Sequence, residues 1–352
     1  MSFRSLILLP LASLVLLGAG CSSSVPAVLD GGVFRTRNDA SVWEQLKVLD
    51  LNTRVASAEK MGTVSIGIDP QDQDAVYVGT QENGLMYSMD GGVSWRIMKG
   101  MSQGKVNAVL VDAKDKCTVY VARLNQVFKT VNCGRDWLEM YSQPAGKTTP
   151  VITSLVGDWF NTLVLFAGTN EGDVLRSDDG GAHWRAINRV EGTRINGIVI
   201  DPRDSRILYV ATNGAGIQKT IDGGTTWITI SKEFQEFSYA RTVKMLVLDP
   251  NTANRVYAVS KYGILKSEDG GAIWKALTLP SAPQSVDITA FTVNPKNPNV
   301  IVYATKSVLV YSADAGVTWA SKKLPTKRGV AWLQFDKAVT QSLYLGSMPA
   351  AK

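Results

Sequence analysis

Histidine is almost missing from this sequence. His183 is the only imidazole in 352 residues, which removes histidine-based triads and multi-histidine metal centres from consideration. Cysteine is scarce too: three residues cannot build a disulfide-dense scaffold or a four-thiolate zinc site. Charge is moderate, with 37 Lys and Arg against 31 Asp and Glu, a formal +6. Long apolar runs are absent except from Leu6 to Leu17, which is too short to span a bilayer as a helix. No stretch after residue 31 shows the helical period.

What the chain does have is repetition. The pattern Ser/Thr-x-Asp/Asn-x-Gly-x-x-Trp occurs at SMDGGVSW (88–95), TVNCGRDW (130–137), SDDGGAHW (177–184), TIDGGTTW (220–227), SEDGGAIW (267–274) and SADAGVTW (312–319). A worn copy without the glycine, TRNDASVW, stands at 36–43. The tryptophans Trp43, Trp95, Trp137, Trp184, Trp227, Trp274 and Trp319 are spaced by 52, 42, 47, 43, 47 and 45 residues, the period of one repeated supersecondary unit. A second register agrees with the first. Before each complete copy lies a β-type run with an aromatic in second place: VYVGT, VYVAR, LFAGT, LYVAT, VYAVS and VYATK. Another β-rich run precedes each of these, and alternating segments such as GLMYS and GILKS lead directly into the motif. Each unit reads as four short strands joined by turns.

The eight-residue motif has a structural reading. Asp90, Asn132, Asp179, Asp222, Asp269 and Asp314 can bond backbone N–H groups of their own turns, and the glycines supply positive φ. Trp95, Trp137, Trp184, Trp227, Trp274 and Trp319 open the following strand and turn into the sheet. No second ligand recurs beside the carboxylates, so neither a metal nor a cofactor is expected. The ends complete the count. GVAWLQFDKAVTQSLYLGS supplies two strands without a motif after them, and GGVFRTRNDASVWEQL supplies a third strand, the worn motif and a fourth. The expected fold is all-β: a seven-bladed β-propeller of four-stranded antiparallel blades, its last blade closed by both termini, over residues 31–350 as one domain. Small residues at position four of the second strand (Gly79, Ala122, Gly168, Ala211, Gly346) suit tight packing near the axis or between blades.

Residues 1–20 read as a secretory signal: one charge at Arg4, the apolar run, then small residues. The segment resembles a bacterial lipoprotein signal cleaved before Cys21, with Leu17 one place off the usual leucine position. That resemblance implies lipidation of Cys21, a short tether at 21–30 and, with Ser22 following, the outer membrane. After removal of residues 1–20 the charge is 36 − 31 = +5, and an exported chain of such modest charge is not expected to bind nucleic acid. Cys117 starts a second strand and Cys133 lies in the motif of the same unit, at the same end of neighbouring strands, so a disulfide is expected.

Three segments invite a site and receive a structural reading. DPQDQD (69–74) has counterparts DPRDSR, DPNTANR and NPKNPN in other units and reads as a first turn, not a calcium loop. His183 reads as an exposed turn residue. VFRT (33–36) is similar to the arginine segment of sialidases but falls in the third strand of the split blade, so Arg35 reads as structural.

The repeated motif is that of the Asp-box, or bacterial neuraminidase repeat. Its units resemble those of sortilin-type receptors and xyloglucan-cleaving glycosidases. A single ring behind a lipoprotein signal is similar to the photosystem II stability/assembly factor family and its bacterial relatives. The glycosidases pair two propellers, and this chain has length for one.

Partner binding is expected at the end of the ring opposite the motifs, on the second-to-third-strand loops and the connectors between blades. Lys105, Arg123, Lys147, Arg194, Arg241, Lys261, Lys306, Lys327 and Arg328 lie there, against fewer acids, among them Glu82, Glu171, Glu191, Glu233 and Glu236. The connector SKEFQEFSYAR (231–241) adds three aromatics as a candidate rim. A basic face favours an envelope protein or another anionic ligand. The leading expectation is a non-enzymatic, membrane-tethered scaffold or assembly factor. One alternative is a glycan-active enzyme, for which Asp158, Asp287 and Glu82 are the candidate carboxylates. The other is a glycan-binding module using Tyr239, Tyr262 and Trp159.

Overall fold

The aromatic-bearing runs form the second strand of every repeat: Val76–Thr80, Val119–Arg123, Leu165–Thr169, Leu208–Thr212, Val256–Ser260, Ile301–Ala304 and Leu343–Ser347. Their residues are covered on both faces. Tyr77, Tyr120, Phe166, Tyr209, Tyr257, Tyr303 and Tyr344 are at most 2% exposed, because each second strand is sandwiched between its own sheet partners and the neighbouring blade. These strands belong to a computed structural model that describes residues 30–51, 55–144, 149, 151–337, 339 and 341–350. The signal and Cys21, with tether residues up to 29, lie outside the described residues, as does Lys147.

Each second strand pairs antiparallel with a first strand and a third, and a fourth follows, giving seven sheets. Blades 1 to 6 begin with the first strands Thr63–Ile68, Val106–Val111, Ile152–Gly157, Ile195–Ile200, Val243–Leu248 and Ala290–Val293. Blade 7 takes its first two strands from Val330–Phe335 and Leu343–Ser347, and its last two from Val33–Thr36 and Glu44–Leu46. Phe34 is paired with Leu345 in that joint. First strands touch their neighbours all the way round, including the pair between blade 7 and blade 1, so the ring is closed and the first strands surround its axis. The protein is a seven-bladed β-propeller.

Small side chains at position four of the second strand have a direct cause. A Cβ on Gly79 would come within 2.6 Å of the Val106 carbonyl oxygen of blade 2, and one on Gly168 within 2.5 Å of Ile195 Cγ2 of blade 4. A Cβ on Gly346 would come within 2.4 Å of Thr63 Oγ1 of blade 1. The next blade's first strand presses on each of these glycines. The repeated hydrophobic clusters are accordingly shared between neighbours. One joins Trp332 and Tyr344 of blade 7 to Val76, Val78 and Trp95 of blade 1.

Two features depart from the regular four-strand expectation. Blade 1 has six strands, because a hairpin of Val48–Asp50 and Val55–Ser57 adds to its outer edge, with Val48–Asp50 running parallel to Ser94–Ile97. The fourth strands of blades 4 and 5 are only two residues long, Ile228–Thr229 and Lys275–Ala276. A short 3-10 turn, Lys232–Gln235, stands in the connector after the first of these. Cys117 and Cys133 are joined as a disulfide, their Cα atoms 4.0 Å apart across the first turn and the recurrent turn of blade 2.

Candidate functional site

The recurrent turns are joints of the ring. In blade 1, Ser88 Oγ donates to Asp90 Oδ1 at 2.6 Å and accepts the Gly92 N–H at 2.7 Å. Asp90 then accepts the Ser94 N–H at 2.9 Å. The carboxylate or amide at Asn132, Asp179, Asp222, Asp269 and Asp314 accepts the corresponding N–H in its own blade. The worn copy keeps this geometry: Asn38 Oδ1 accepts the Val42 N–H at 2.9 Å, while Asp39 and Ala40 take the positive φ of 54° and 59° that glycines supply elsewhere. These donors hold the Asp314 carboxyl down at about 2, and keep Asp90, Asp179, Asp222 and Asp269 below the ordinary carboxylate range. His183 lies on one such turn with its side chain 91% exposed, against Asp179 Oδ2 at 2.6 Å.

Four of these turns are also gripped from the preceding blade. The Gly91 carbonyl accepts Arg35 Nη1 at 2.7 Å and Tyr344 Oη at 3.1 Å. Gly180 accepts Lys129 and Tyr120, Gly270 accepts Lys219 and Tyr209, and Gly223 accepts Arg176. Arg35 is 4% exposed and also paired with Glu44 at 3.0 Å. This role of the third-strand cations was missed in the sequence, although the signal is visible there: Arg35, Lys129, Arg176 and Lys219 each stand immediately before the Ser or Thr that opens a motif. Three of the tryptophans reach back to the preceding blade as well. Trp95 Nε1 donates to the Leu46 carbonyl, Trp274 to Ile230 and Trp319 to Thr278. Of the motif tryptophans only Trp95 and Trp274 are fully buried, the first beside the added hairpin and the second under Phe234.

The first turns share the end of the ring with these joints. Asp69 Oδ1 accepts the Gln71 and Asp72 N–H groups, Asp201 accepts Arg203 and Asp204, and Asp249 accepts Asn251 and Thr252. DPQDQD is thus one of a set of capped turns. Among the described residues no group of three or more His, Cys, Asp or Glu side chains is placed to hold a metal ion. Asp158 is a member of the same set: it is 8% exposed and its Oδ1 accepts the Phe160 and Asn161 N–H groups at 2.7 and 3.1 Å. Asp287 stands before the first strand of blade 6, at the other end of the ring, in an ion pair with Lys244. A strand of six residues such as Ile152–Gly157 separates the two ends by about 20 Å. Asp158 therefore pairs with neither Asp287 nor Glu82, and that carboxylate constellation is not assembled. Trp159, 40% exposed, is at the Asp158 end, so it is not brought together with Tyr239 and Tyr262.

The opposite end carries the basic residues. Lys105 and Arg194 each precede a first strand. Burial lowers both of their pKa values, that of Lys105 further because Arg194 is near. Arg123 lies over the Phe128 ring at 4.8 Å, and Lys261 over the Tyr239 ring at 4.8 Å. Arg241 and Lys306 are exposed. Arg328 is not available in the same way: its side chain is 14% exposed, its Nε donates to Asp30 Oδ1 at 3.1 Å and its Nη1 donates to the Lys60 carbonyl. The aromatic rim of 231–241 is reduced likewise. Phe234 is buried against Trp274 and Phe237 packs on Tyr262, with ring centroids 5.3 and 5.1 Å apart, which leaves Tyr239, 62% exposed, as the rim's open ring.

Fold and surface together define a β-propeller with one strongly braced end and one looped, basic end. No family model matches the sequence. A segment is 30% identical over 100 residues to an oligoxyloglucan-reducing end-specific xyloglucanase of Emericella nidulans, covering 24% of this chain and 12% of that protein. Among solved structures, the GH74 xyloglucanase from Xanthomonas campestris superposes with a TM-score of 0.66 at 17% identity, covering 82% of this chain and 51% of its own. YCF48 bound to a D1 peptide gives 0.61 at 17% identity, covering 82% and 94%. YCF48 from Cyanidioschyzon merolae gives 0.60 at 12%, covering 82% and 96%. This chain spans about half the length of the Xanthomonas enzyme, and at these identities the likeness is one of fold.

Proposed function

We propose that the protein is a non-enzymatic envelope scaffold or assembly factor that binds an acidic protein segment on its looped, basic end. The observation that carries this reading is the asymmetry of the two ends. At one, the acids are committed to turns and joints; at the other, Lys105, Arg123, Arg194, Arg241, Lys261, Lys306 and Lys327 stand on loops and connectors beside fewer acids, among them Glu82, Glu171, Glu191 and Glu236. An excess of cations on one face favours an anionic partner. The peptide-bound YCF48 propeller, of which the match covers 94%, supports a protein partner. We further propose that lipidated Cys21 keeps the ring at a membrane, probed by metabolic labelling with palmitate and by loss of membrane association on Cys21→Ala.

The test is capture of partners from solubilised membranes by the tethered protein and by a variant with Arg123, Arg194 and Arg241 all changed to Glu. The variant should lose the specific partners, and an unchanged set would reject the reading. The xyloglucanase match favours a second reading, glycoside hydrolysis. It predicts new reducing ends when the purified protein is incubated with xyloglucan oligosaccharides, whereas the scaffold reading predicts none.

A further inference from the structure

Blade 5 leaves its outer edge early. Its fourth strand pairs only through Lys275 and Ala276, the Leu277 N–H still donates to the Ile264 carbonyl at 2.9 Å, and the chain then departs through residues 278–287, exposed except for the half-buried Leu279 and Ser281. The gap behind it is a recess of about 320 Å³, walled by Tyr262, Ile264, Leu277, Leu279, Pro280 and Pro283. The recess belongs to the looped end, because Tyr262 lies in the second-to-third-strand loop of blade 5 and residues 277–287 form the connector to blade 6.

Lys261 precedes Tyr262 in the same loop, with its ammonium over the exposed Tyr239 ring, and Arg241 and Lys306 are exposed on other loops of this end. Of the acids in this sector, Asp287 is already paired with Lys244 and Glu236 is exposed on the connector 231–241, and among the described residues Lys261 meets no carboxylate. The walls are fixed before any partner arrives. Phe234 is pinned under Trp274, Phe237 is set edge-on to Tyr262, and the Gln284 N–H donates to the Tyr262 carbonyl at 3.1 Å. Tyr239 and Gln284 hold positive φ, both at 65°, a strained conformation for residues other than glycine. A recess with apolar side chains in its wall, on rigid supports and next to a loop ammonium with no carboxylate partner among the described residues, is the form of a binding hot spot.

We propose that this recess is the anchor for the protein partner: an extended peptide segment places one aliphatic or aromatic side chain in the recess and an adjacent carboxylate on Lys261. This rests on the looped end being the partner-binding face and adds the place and the chemistry. A sugar fits less well. One face of Tyr239, the exposed ring on which a sugar would stack, is already covered by the ammonium.

A phage-displayed random heptapeptide library panned on the purified protein tests the proposal. Enriched sequences should carry Asp or Glu next to Leu, Ile, Met or Phe. Synthetic versions should bind about tenfold more weakly to Leu279→Arg and to Lys261→Glu. Lys261→Glu should also move the preference from Asp to Lys at the adjacent position, a change that a purely structural role would not give. Both variants are compared with the parent by circular dichroism, and Tyr239→Ala is the milder probe if either fails to fold. Lack of enrichment, or enriched peptides that bind both variants as tightly as the parent, overturns the proposal. If binding survives Leu279→Arg and Lys261→Glu but is lost in the Arg123, Arg194 and Arg241 triple variant, the face is right and the recess is wrong. If all variants bind alike, both fall.

Discussion

Trp95 and Trp227 occupy the same place in the motif but differ in surroundings, and the difference sets their worth. Trp95 is 0% exposed, with its N–H on Leu46, whereas Trp227 is part-exposed and bonds within its own turn, to Gly224. Trp95→Ala should cost about 3–5 kcal/mol, and Trp227→Ala clearly less, measured by denaturant unfolding. The motif acids respond to pH in a definite direction. The Asp314 carboxyl is lowered from 3.8 to about 2 by donors that exist only in the fold. Its stabilising effect is therefore complete above 3.8 and is lost as pH falls through about 2. Stability should decline over that interval, and Asp314→Asn should flatten the decline in a chemical-denaturation series. Residue roles of this kind were legible where a side chain acts within its own turn, as with His183 and Asp69. The inter-blade grip of Lys129 or Arg176 was not, because its acceptor lies about fifty residues downstream and only the closed ring brings the two together.

Blades were easier to read than their margins. All seven second strands lie where the alternation and the aromatic position put them, since both faces of these strands are buried and the pattern is enforced. The hairpin of Val48–Asp50 and Val55–Ser57 escaped, being two three-residue strands with half of their side chains exposed and no repeated counterpart. The recess of blade 5 escaped too, because it arises from a strand ending early. Two outcomes follow at this scale. Gly168→Val forces a branched side chain against Ile195 and should destabilise by about 1–3 kcal/mol or more through overpacking, with folded protein yield and melting temperature as the readout. The disulfide closes a loop between residues 16 apart. Reduction should lower stability by about 3 kcal/mol, seen as a lower melting temperature with dithiothreitol in the parent but not in Cys133→Gly, whose glycine suits the local φ of 58°.

For the whole molecule, the buried tyrosines form a second ring of titratable groups. Burial raises Tyr77, Tyr209 and Tyr257 from 10 to about 12. A raised pKa stabilises the fold fully below 10 and is lost as pH climbs through about 12, so these side chains should ionise together with loss of structure. Ultraviolet titration of tyrosinate alongside circular dichroism checks this: a phenolate signal that precedes unfolding would contradict it. The strand made by residues 33–36 finds its partner 343–347 only after the six blades between them have been made. Ribosomal products that stop within the ring keep an open seam at both ends of the arc, with unsatisfied strand borders inviting protease or self-association. The latch thus works as an inspection of the ring, since only synthesis through its last strand can hide its first.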